Sequence, residues 1–471
     1  MIKLVDNRGR EKMFNKNFKK KLLPFAVVSS LAFTSFTGSV STAEAKGKNQ
    51  NKAKVKNVIF LIGDGMGVSY TSAHRYLKDD PATKFAEKTT FDQYLVGQQM
   101  TYPEDPAQNV TDSASAATAM SAGIKTYNNA IAVDNDKTKV KTVLEAAKEK
   151  GKATGLVATS EITHATPASF GSHDISRKNM NAIADDYYDE LINGKHKVDV
   201  LLGGGTDLFI RQDRNLVNEF KKDGYSYVTN RDDLLKNKDE QILGLFAPTG
   251  MPKMIDREKD IPSLEDMTQS AIDRLKQDKD GFFLMVEGSQ IDWAGHDNDI
   301  VGAMSEMEDF EKAFKAAIEF AKKDKHTLVV ATADHSTGGY SIGADGIYNW
   351  FGKPIKAAKR TPDFMAQQII DGASVEGTLK QYIDLDLTDK EIQSVKTAAE
   401  TKNYTNIDNA IENIFNERSH TGWTTGGHTG EDVPVYAFGP SSEKFAGQVD
   451  NTDHAKMIFD LLKSKVVIND K

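Results

Sequence analysis

Short apolar stretches rich in β-branched residues constrain the fold of this 471-residue chain most strongly. Nearly continuous apolar stretches of this length predict strands that are buried on both faces, as in a parallel sheet. Amphipathic helical patterns alternate with them, for example at Leu264–Gln277. The alternation predicts a three-layer α/β/α fold with a mostly parallel central sheet and helices on both faces. The predicted strands are Val55–Ile62, Ala153–Ala158, Val198–Leu202, Gly281–Val286, Thr327–Ala331 and Val433–Gly439.

The alternation weakens between Gly338 and about Gly426, where Asp, Asn, Thr and Gly are common. Helical patterns interrupt this region at Thr361–Ile370, Asp389–Glu400 and Asn406–Phe415. Because strand patterns resume after it, residues 55–471 are predicted to form one α/β domain with an inserted subdomain at about 340–426.

The first 45 residues have the pattern of a secretory signal peptide. Lys19, Lys20 and Lys21 precede an apolar stretch at 22–40, and the small-residue site Ala43-Glu44-Ala45 follows. A membrane anchor is the alternative, but the apolar part is short and contains polar residues. The pattern predicts cleavage after Ala45 and a secreted or cell-envelope location. Residues 46–54 then form a basic, disordered leader, either a solvated tail or a loose contact with an anionic envelope polymer.

Composition excludes several classes of protein. The chain has no cysteine, so it cannot contain a disulfide framework or a cysteine metal site, and any metal must be bound by His, Asp or Glu. Its formal net charge is −8, which argues against a nucleic-acid partner.

Carboxylates and imidazoles follow the predicted strands at the point where several of them end. Ligands of open α/β sheets bind beyond the carboxyl ends of the strands, so these side chains are expected to lie together. Each motif alone is ordinary surface chemistry, but the combination predicts a pair of Zn²⁺ ions and a harder ion such as Mg²⁺. The candidate ligands are Asp64, Glu287, Asp292, His296, Asp334, His335 and His428.

A candidate nucleophile lies in the small-residue stretch 110–120, which has good helix-forming residues. Asp112 or Ser113 would stand near the N-cap, where free backbone N–H groups and the helix dipole favour a phosphate. A plain capping serine is the alternative for this segment alone. A serine hydroxyl needs a base or a metal ion for activation, so Ser113 and the predicted metal cluster complement each other.

Five motifs occur in an order that resembles bacterial alkaline phosphatases. They are Asp64-Gly65-Met66-Gly67, Thr111-Asp112-Ser113-Ala114, Glu287-Gly288-Ser289-Gln290-Ile291-Asp292, Thr332-Ala333-Asp334-His335 and Gly427-His428-Thr429-Gly430. The resemblance covers the chain from Asn57 to about its C-terminus and implies an exported, broadly specific phosphate monoester hydrolase. It also implies a homodimer and identifies the 340–426 insertion with the subdomain called the crown.

The resemblance implies a metal-binding role for nine residues. Asp64 would bridge the magnesium site and one zinc, which Asp334 and His335 complete beside Ser113. The second zinc would be held by Asp292, His296 and His428. Thr166 and Glu287 would line the magnesium site together with Asp64, next to His164.

For the reaction itself, the resemblance implies that Ser113 forms a phosphoserine and that Arg177 clamps the phosphate. An arginine fork suits this role because it binds two phosphate oxygens at once. Asp112 would orient Arg177 or cap the helix, and the sequence leaves both roles open.

Two positions depart from the enteric type of the family. His164 replaces an aspartate and Trp293 replaces a lysine, both around the third metal site and the phosphate. Because imidazole is a softer ligand than carboxylate, His164 also suits Zn²⁺ at the third site. For the same reason we expect weaker Mg²⁺ retention, and because Trp293 removes a positive charge, we expect weaker phosphate inhibition.

Three alternative functions remain at this point. A phosphodiesterase of the same superfamily typically has threonine as nucleophile and lacks the clamping arginine. A sulfatase requires a modified Cys or Ser in a different motif. An exported phosphate- or metal-binding protein would need no nucleophile, so Ser113 argues against it.

Overall fold

The computed structural model describes residues 54–466. The predicted signal peptide at 1–45 and the predicted leader up to residue 53 lie outside the described residues. No described helix is long and apolar enough to cross a bilayer.

The described residues contain sixteen strands, ten of which form one sheet. The ten are long and apolar near the centre of the sheet and shorter towards its edges. The strands are β1 Asn57–Gly63, β2 Leu95–Met100, β3 Ala153–Glu161, β4 Leu191–Ile192, β5 Lys195–His196, β6 Val200–Gly204, β7 Ser226–Val228, β8 Ile242–Leu245, β9 Phe282–Gly288, β10 Thr327–Thr332, β11 Ser336–Thr337, β12 Ser341–Ile342, β13 Thr421–Gly422, β14 His428–Thr429, β15 Val433–Phe438 and β16 Gly447–Asp450.

Many of the helices begin at a Ser, Thr, Asn or Asp whose side chain accepts a hydrogen bond from the first turn, which fixes where they start. Among the described residues the α-helices are α1 Val68–Lys78, α2 Thr90–Tyr94, α3 Ser113–Ala122, α4 Val143–Glu149, α5 Ala165–Gly171, α6 Met180–Asp189, α7 Thr206–Phe209, α8 Leu216–Lys222, α9 Arg231–Lys236, α10 Leu264–Leu275, α11 Gln290–Asp297, α12 Ile300–Asp324, α13 Gly352–Lys356, α14 Pro362–Ile370, α15 Val375–Tyr382, α16 Asp389–Glu400, α17 Tyr404–Ser419 and α18 Asn451–Leu461. Short 3₁₀ turns occur at Met254–Asp256 and Ser442–Phe445.

The strand order across the large sheet is β16–β2–β15–β10–β1–β9–β3–β6–β8–β7. Every pairing from β10 to β7 is parallel, whereas β15 is antiparallel to both of its neighbours. The predicted mostly parallel sheet is therefore confirmed. The reversed strand β15 matters for function, because its amino end lies at the edge where the parallel strands end.

Helices cover both faces of the sheet, as the alternation of the sequence predicted. Alternate residues of β1 point to opposite faces: Ile59 and Leu61 pack on the side of α10 and α12, and Phe60 and Ile62 pack on the side of α3, α4 and α5. All seven residues of β1 are buried. The strand is therefore a fixed support for the residue that follows it.

The predicted central strands and most predicted helices match the structure to within a few residues. The strands β2, β7, β8 and β16, which lie at or next to the two edges of the sheet, were missed, because short or polar strands carry little hydrophobic pattern. Residues 340–426, which we call the helical segment, contain α13 to α17 and contribute no strand to the large sheet. The segment packs against α1 and α12 through α13 and α17.

Candidate active site

Sheet topology brings the strand-end residues together. The neighbouring strands β10, β1 and β9 end next to Asp334, Asp64 and Glu287. His428 comes from β14, which pairs with β11 directly after His335 and leads into the reversed strand β15. Because β15 runs in the opposite direction, its beginning lies at the same edge as the ends of its parallel neighbours. All these side chains therefore meet at one edge of the sheet.

A first group of ligand atoms consists of Asp292, His296 and His428. His296 Nε2 lies 3.2 Å from Asp292 Oδ2, and His428 Nε2 lies 3.6 Å from Asp292 Oδ1. The two Nε2 atoms lie 3.1 Å apart. Nδ1 of His296 is 2.7 Å from the carbonyl of Gly426, and Nδ1 of His428 is 2.9 Å from the carbonyl of Thr111. When Nδ1 donates to a carbonyl, the Nε2 lone pair stays free, so three acceptors converge on one point.

A second group lies around Ser113 and combines Asp64, Asp334 and His335. His335 Nε2 is 3.2 Å from Ser113 Oγ, 3.2 Å from Asp334 Oδ2 and 3.6 Å from Asp64 Oδ1. Asp334 Oδ1 accepts hydrogen bonds from the backbone N–H of Gly65 and of His335, both at 3.0 Å. These bonds fix one carboxylate oxygen and leave the other facing the imidazole. One atom each of Asp64, Asp292 and His335 could reach a single ion.

A third group contains Asp64, His164 and Glu287, whose ligand atoms also lie within reach of one ion. His164 is the N-cap of α5, and Thr166 lies in the first turn of that helix with its hydroxyl buried and unpartnered among the described residues. Asp64 belongs to both the second and the third group, so two ions there would share one carboxylate.

Four buried carboxylates with few neutralising groups define the electrostatics of this edge. Burial and the neighbouring acids raise the pKa of Asp64 well above its usual range. Burial raises the pKa of Glu287 to about 7 and that of Asp334 to about 6. Asp292 is the exception: burial opposes ionisation, but the hydrogen bond from His296 and the nearby imidazoles hold its pKa low. A concentration of acid groups of this kind needs cations to remain ionised.

Buried oxygen atoms without hydrogen-bond partners indicate whether metal ions fit these three groups. Within the described residues, both oxygens of Asp64 and one oxygen each of Glu287 and Asp334 are buried without a hydrogen-bond partner. Buried polar atoms are normally satisfied, so these atoms indicate missing ligands rather than an ordinary core. Mixed imidazole and carboxylate donors suit Zn²⁺ in the first two groups, and the carboxylates of the third group suit Mg²⁺. The residues present therefore fit the metals that the sequence predicted.

Ser113 is the first residue of α3, and Asp112 is its N-cap. Asp112 Oδ1 accepts the backbone N–H of Ser115 at 3.0 Å, and Oδ2 accepts Nη1 of Arg177 at 3.1 Å. The two roles that the sequence left open for Asp112 are thus compatible, since each uses a different oxygen. Small residues fill α3, which is buried along its whole length, so the helix holds Ser113 rigidly at the edge of the ligand groups.

Arg177, His164 and Trp293 form the outer wall of the site. Arg177 Nη2 lies 3.1 Å from His164 Nε2, and the rings of His164 and Trp293 meet edge to face at 5.8 Å. Burial and the charge of Arg177 lower the pKa of His164 to about 3, so this imidazole is neutral and able to bind a metal. Trp293 packs on Gly250, where a side chain would collide with the indole ring. The absence of a side chain at Gly250 therefore leaves space for the indole ring of Trp293.

Thr337 is a site residue that the sequence analysis missed. Its hydroxyl donates to Asp292 Oδ1 and lies 3.3 Å from His335 Nδ1, and its carbonyl accepts the hydroxyl of Tyr70 at 2.7 Å. It therefore links ligands of the first and second groups. The only signal of this in the sequence was its position two residues after His335. In extended backbone that spacing places both side chains on the same side.

Comparisons with known proteins agree with this geometry. The family model described as alkaline phosphatase matches residues 55–464. Alkaline phosphatase 3 of Bacillus subtilis is 76% identical over 97% of this chain and 100% of that relative, and Alkaline phosphatase 4 of the same organism is 58% identical over 95% and 98%.

Among solved structures, a cold-active alkaline phosphatase from Shewanella sp. matches with a TM-score of 0.81 and 42% identity, covering 86% of this chain and 99% of that chain. A histidine-to-glutamate variant of the enzyme from the Antarctic bacterium TAB5, with Mg bound in its M3 site, matches with a TM-score of 0.65 and 33% identity. That match covers 88% of this chain and 99% of that chain.

Proposed function

The chain belongs to the alkaline phosphatase family and is an enzyme that hydrolyses phosphate monoesters, and we propose that it does so through a phosphoserine on Ser113. One observation carries this proposal: Ser113 Oγ stands at the N-terminus of a buried helix and 3.2 Å from His335, where the carboxylates and imidazoles converge. The arrangement favours a covalent route over direct attack by water.

Members of this family depend on metal ions. We propose two Zn²⁺ ions and one Mg²⁺ ion here, bound by the three groups of ligand atoms described above. When bound, the ions would neutralise the carboxylates, favour the ionised Ser113 hydroxyl and polarise the phosphoryl oxygens. The unpartnered oxygens of Asp64, Glu287 and Asp334 support this assignment.

The side chains of the chain itself perform the rest of the reaction. Arg177 is held by Asp112 and directs its remaining N–H donors at the phosphoryl oxygens, where charge resides. Ser113 Oγ forms a bond to phosphorus while the ester oxygen leaves with its electron pair and takes up a proton. Water then breaks the Ser113–phosphorus bond and releases phosphate. Because contacts concentrate on the phosphoryl group, broad specificity for the leaving group follows.

Trapping the intermediate tests this proposal. The enzyme loaded with Zn²⁺ and Mg²⁺ is mixed with p-nitrophenyl phosphate, quenched in acid and digested, and the peptides are measured by mass spectrometry. We expect one added phosphoryl group on the peptide that contains Ser113, and none in Ser113→Ala. Ser115→Ala is the matched control, since it removes a hydroxyl two residues along the same helix. Label on another residue, or full turnover by Ser113→Ala, would contradict the proposal.

For the third metal site we propose that His164 joins Asp64 and Glu287 and permits Zn²⁺ as well as Mg²⁺. The TAB5 variants support this idea by analogy, since replacing a histidine with glutamate or aspartate accompanies Mg in the M3 site of that enzyme. The corresponding measurement is metal content after dialysis of the wild type and His164→Asp against Mg²⁺ with trace Zn²⁺. Equal Mg²⁺ retention in the two proteins would contradict it.

We also propose export, with cleavage after Ala45, because residues 1–45 have the three-part pattern of a signal peptide. N-terminal sequencing of the enzyme from culture medium and cell wall would test both the cleavage site and loose attachment through the basic leader. Residues 340–426 remain our candidate for a crown-like subdomain, and a homodimer remains a proposal that sedimentation of the mature enzyme can test.

A further inference from the structure

Residues 127–131, which we call the bracing segment, lie beside the stretch of chain that ends at Arg177. Ile131 and Asp174 exchange two backbone hydrogen bonds, each of 2.9 Å. The backbone N–H of Arg177 then donates to the carbonyl of Asn129, also at 2.9 Å. The bracing segment therefore fixes the backbone from which the arginine side chain extends.

Two residues of the bracing segment make further contacts of this kind. The hydroxyl of Tyr127 donates to the carbonyl of Ile175 at 2.9 Å. Asn129 has a φ of 79°, in the left-handed region where asparagine is enriched among residues other than glycine. In this conformation its N–H donates to Asp112 Oδ2 at 3.0 Å, while its carbonyl accepts the N–H of Arg177. One residue thus holds both the Asp112 carboxylate and the Arg177 backbone.

Asn128 fastens the bracing segment to the start of α3. Its Oδ1 accepts the backbone N–H of Asp112 and the hydroxyl of Ser115, both at 2.9 Å. Its Nδ2 donates to the carbonyl of Val110 at 3.1 Å and to the side-chain oxygen of Gln108. An amide has two donor and two acceptor positions, so all of them are used on the chain around the candidate nucleophile.

The N-cap of α3 explains why an amide from another part of the chain is needed. In a capping box, a longer polar side chain at the third helical position accepts the N–H of the N-cap residue. α4 has this arrangement, with Thr142 as N-cap and Glu145 as the acceptor. In α3 the third position is Ser115, whose hydroxyl donates to Asn128 instead. Asn128 therefore replaces the capping-box acid for the helix that begins with Ser113.

We propose that Asn128 is a positioning residue for phosphate binding: by joining the bracing segment to the N-cap of α3, it sets the place of the Arg177 guanidinium relative to Ser113. Two routes lead from the amide to the arginine. One passes through Asp112, whose Oδ2 accepts Arg177 Nη1 at 3.1 Å, and the other through the backbone of Asn129. The inference rests on the proposed contact of Arg177 with the phosphoryl oxygens.

Loss of the amide should displace the arginine more than the nucleophile. α3 is buried along its whole length, so its first residue keeps its place. The side chain of Arg177 is partly exposed and depends on the contacts described above. An arginine that clamps phosphate acts on bound substrate and bound product alike. We therefore expect KM and the inhibition constant of phosphate to rise together, with a smaller change in kcat.

Steady-state kinetics of the enzyme saturated with Zn²⁺ and Mg²⁺ tests the proposal, with p-nitrophenyl phosphate as substrate. Asn128→Ala should raise KM and the inhibition constant of phosphate about tenfold and lower kcat by less than about threefold. Asn181→Ala is the matched control, because it removes the same side chain from an exposed position of α6, four residues beyond Arg177. It should leave all three constants unchanged. A protein that is only less well folded would lose kcat at constant KM, because its remaining active molecules are native.

A double-mutant cycle with Arg177→Ala shows whether the amide acts through the arginine. We expect Asn128→Ala to change the inhibition constant of phosphate by less than about twofold once Arg177 is absent. The same rise in both backgrounds would overturn the proposal, and so would an inhibition constant that Asn128→Ala leaves unchanged in the wild type.

Two further results separate this proposal from its premise. If Arg177→Ala leaves phosphate inhibition unchanged, the phosphate contact of Arg177 is wrong and the positioning role falls with it. A large effect of Arg177→Ala without any effect of Asn128→Ala overturns the positioning role alone. If Asn128→Ala does not fold, Tyr127→Phe decides, since it removes one hydroxyl from a half-buried ring. Its inhibition constant should be about two- to threefold higher, and an unchanged constant would overturn the proposal.

Discussion

Among the places in the described structure where histidine and carboxylate atoms lie close enough to hold a metal ion, two differ in how their acids are neutralised. At the strand ends, Asp64, Asp292 and His335 converge. Near α4 and α6, Glu145, His173 and Glu190 converge in the same way. Proximity alone does not distinguish these two groups.

Charge balance distinguishes them. Lys197 Nζ contacts Glu190 and lies 3.7 Å from Glu145, and Lys139 also contacts Glu190. His173 lies 3.5 Å from Glu145 and 3.6 Å from Glu190, so the chain itself supplies the cations. We call Glu145, His173 and Glu190 the balanced group. No lysine reaches the strand-end carboxylates in the described structure. The comparison indicates that a metal site is recognised by acids left without cations, rather than by distance alone.

Removal of divalent ions is expected to have the largest effect. A chelator should reduce hydrolysis of p-nitrophenyl phosphate by about 10³-fold or more, and Zn²⁺ with Mg²⁺ should restore it, because Asp64, Glu287 and Asp334 then lose the cations that would neutralise them. The Glu145 group should be indifferent to the same treatment. Activity that survives exhaustive chelation would erase the distinction between the two groups.

Matched substitutions sharpen the same comparison. Asp334→Asn removes an acid from the strand-end group and should lower kcat/KM by about 10²-fold or more while weakening Zn²⁺ binding. Glu145→Gln removes an acid from the balanced group. It should cost about 1–3 kcal/mol of stability and leave kcat/KM within about twofold. Steady-state kinetics and metal titration measure both, and comparable kinetic losses in the two variants would count against our assignment.

Substitution of Arg177 tests whether this cation, which lies beside the strand-end group, binds the substrate or neutralises the acids. Arg177→Lys keeps the charge but loses the planar fork, and we expect kcat/KM to fall about tenfold with weaker phosphate inhibition. Asp112→Asn, which loosens the same arginine, should produce a smaller loss in the same direction. An Arg177→Lys enzyme with wild-type kinetics would show that the guanidinium does not touch the phosphoryl group.

Much of this site could be predicted from sequence because its ligands follow strands with a strong apolar pattern. Asp64 after β1 and Asp334 after β10 are examples: buried strands fix the backbone, and adjacent parallel strands end at one edge. His296 was predictable for another reason, since it lies one helical turn from Asp292.

The rest depends on long-range contacts that leave no local pattern. Thr337 of β11 donates to Asp292 and pairs with His428 of β14, although the helical segment separates the two strands in the chain. The reversed direction of β15 places His428 at the site. The apolar sequence of β15 does not reveal this direction, because a parallel strand has the same kind of pattern.

Exchange of the two outer-wall residues should have a smaller effect. His164→Asp with Trp293→Lys adds a negative and a positive charge beside Arg177, and the new lysine should lower the inhibition constant of phosphate several-fold. The single variants separate the metal effect of residue 164 from the phosphate effect of residue 293. An inhibition constant in the double variant no lower than in the wild type would show that Trp293 does not set phosphate affinity.

The smallest effect on activity is expected at His173, the histidine of the balanced group. Burial opposes its protonation, but Glu145 and Glu190 raise its pKa to about 9, above the ordinary value of 6.5. A pKa raised by folding stabilises the protein fully below about pH 6.5, and this stabilisation disappears as the pH rises through about 9.

His173→Gln should therefore cost on the order of 2 kcal/mol of stability at pH 6 and almost nothing from this source above pH 10. Urea unfolding of the metal-saturated enzyme at both pH values measures the difference, and kcat/KM should stay within about twofold. A cost that does not change with pH would show that His173 carries no extra proton in the folded state, and that the two groups of histidines and acids differ less than their charges suggest.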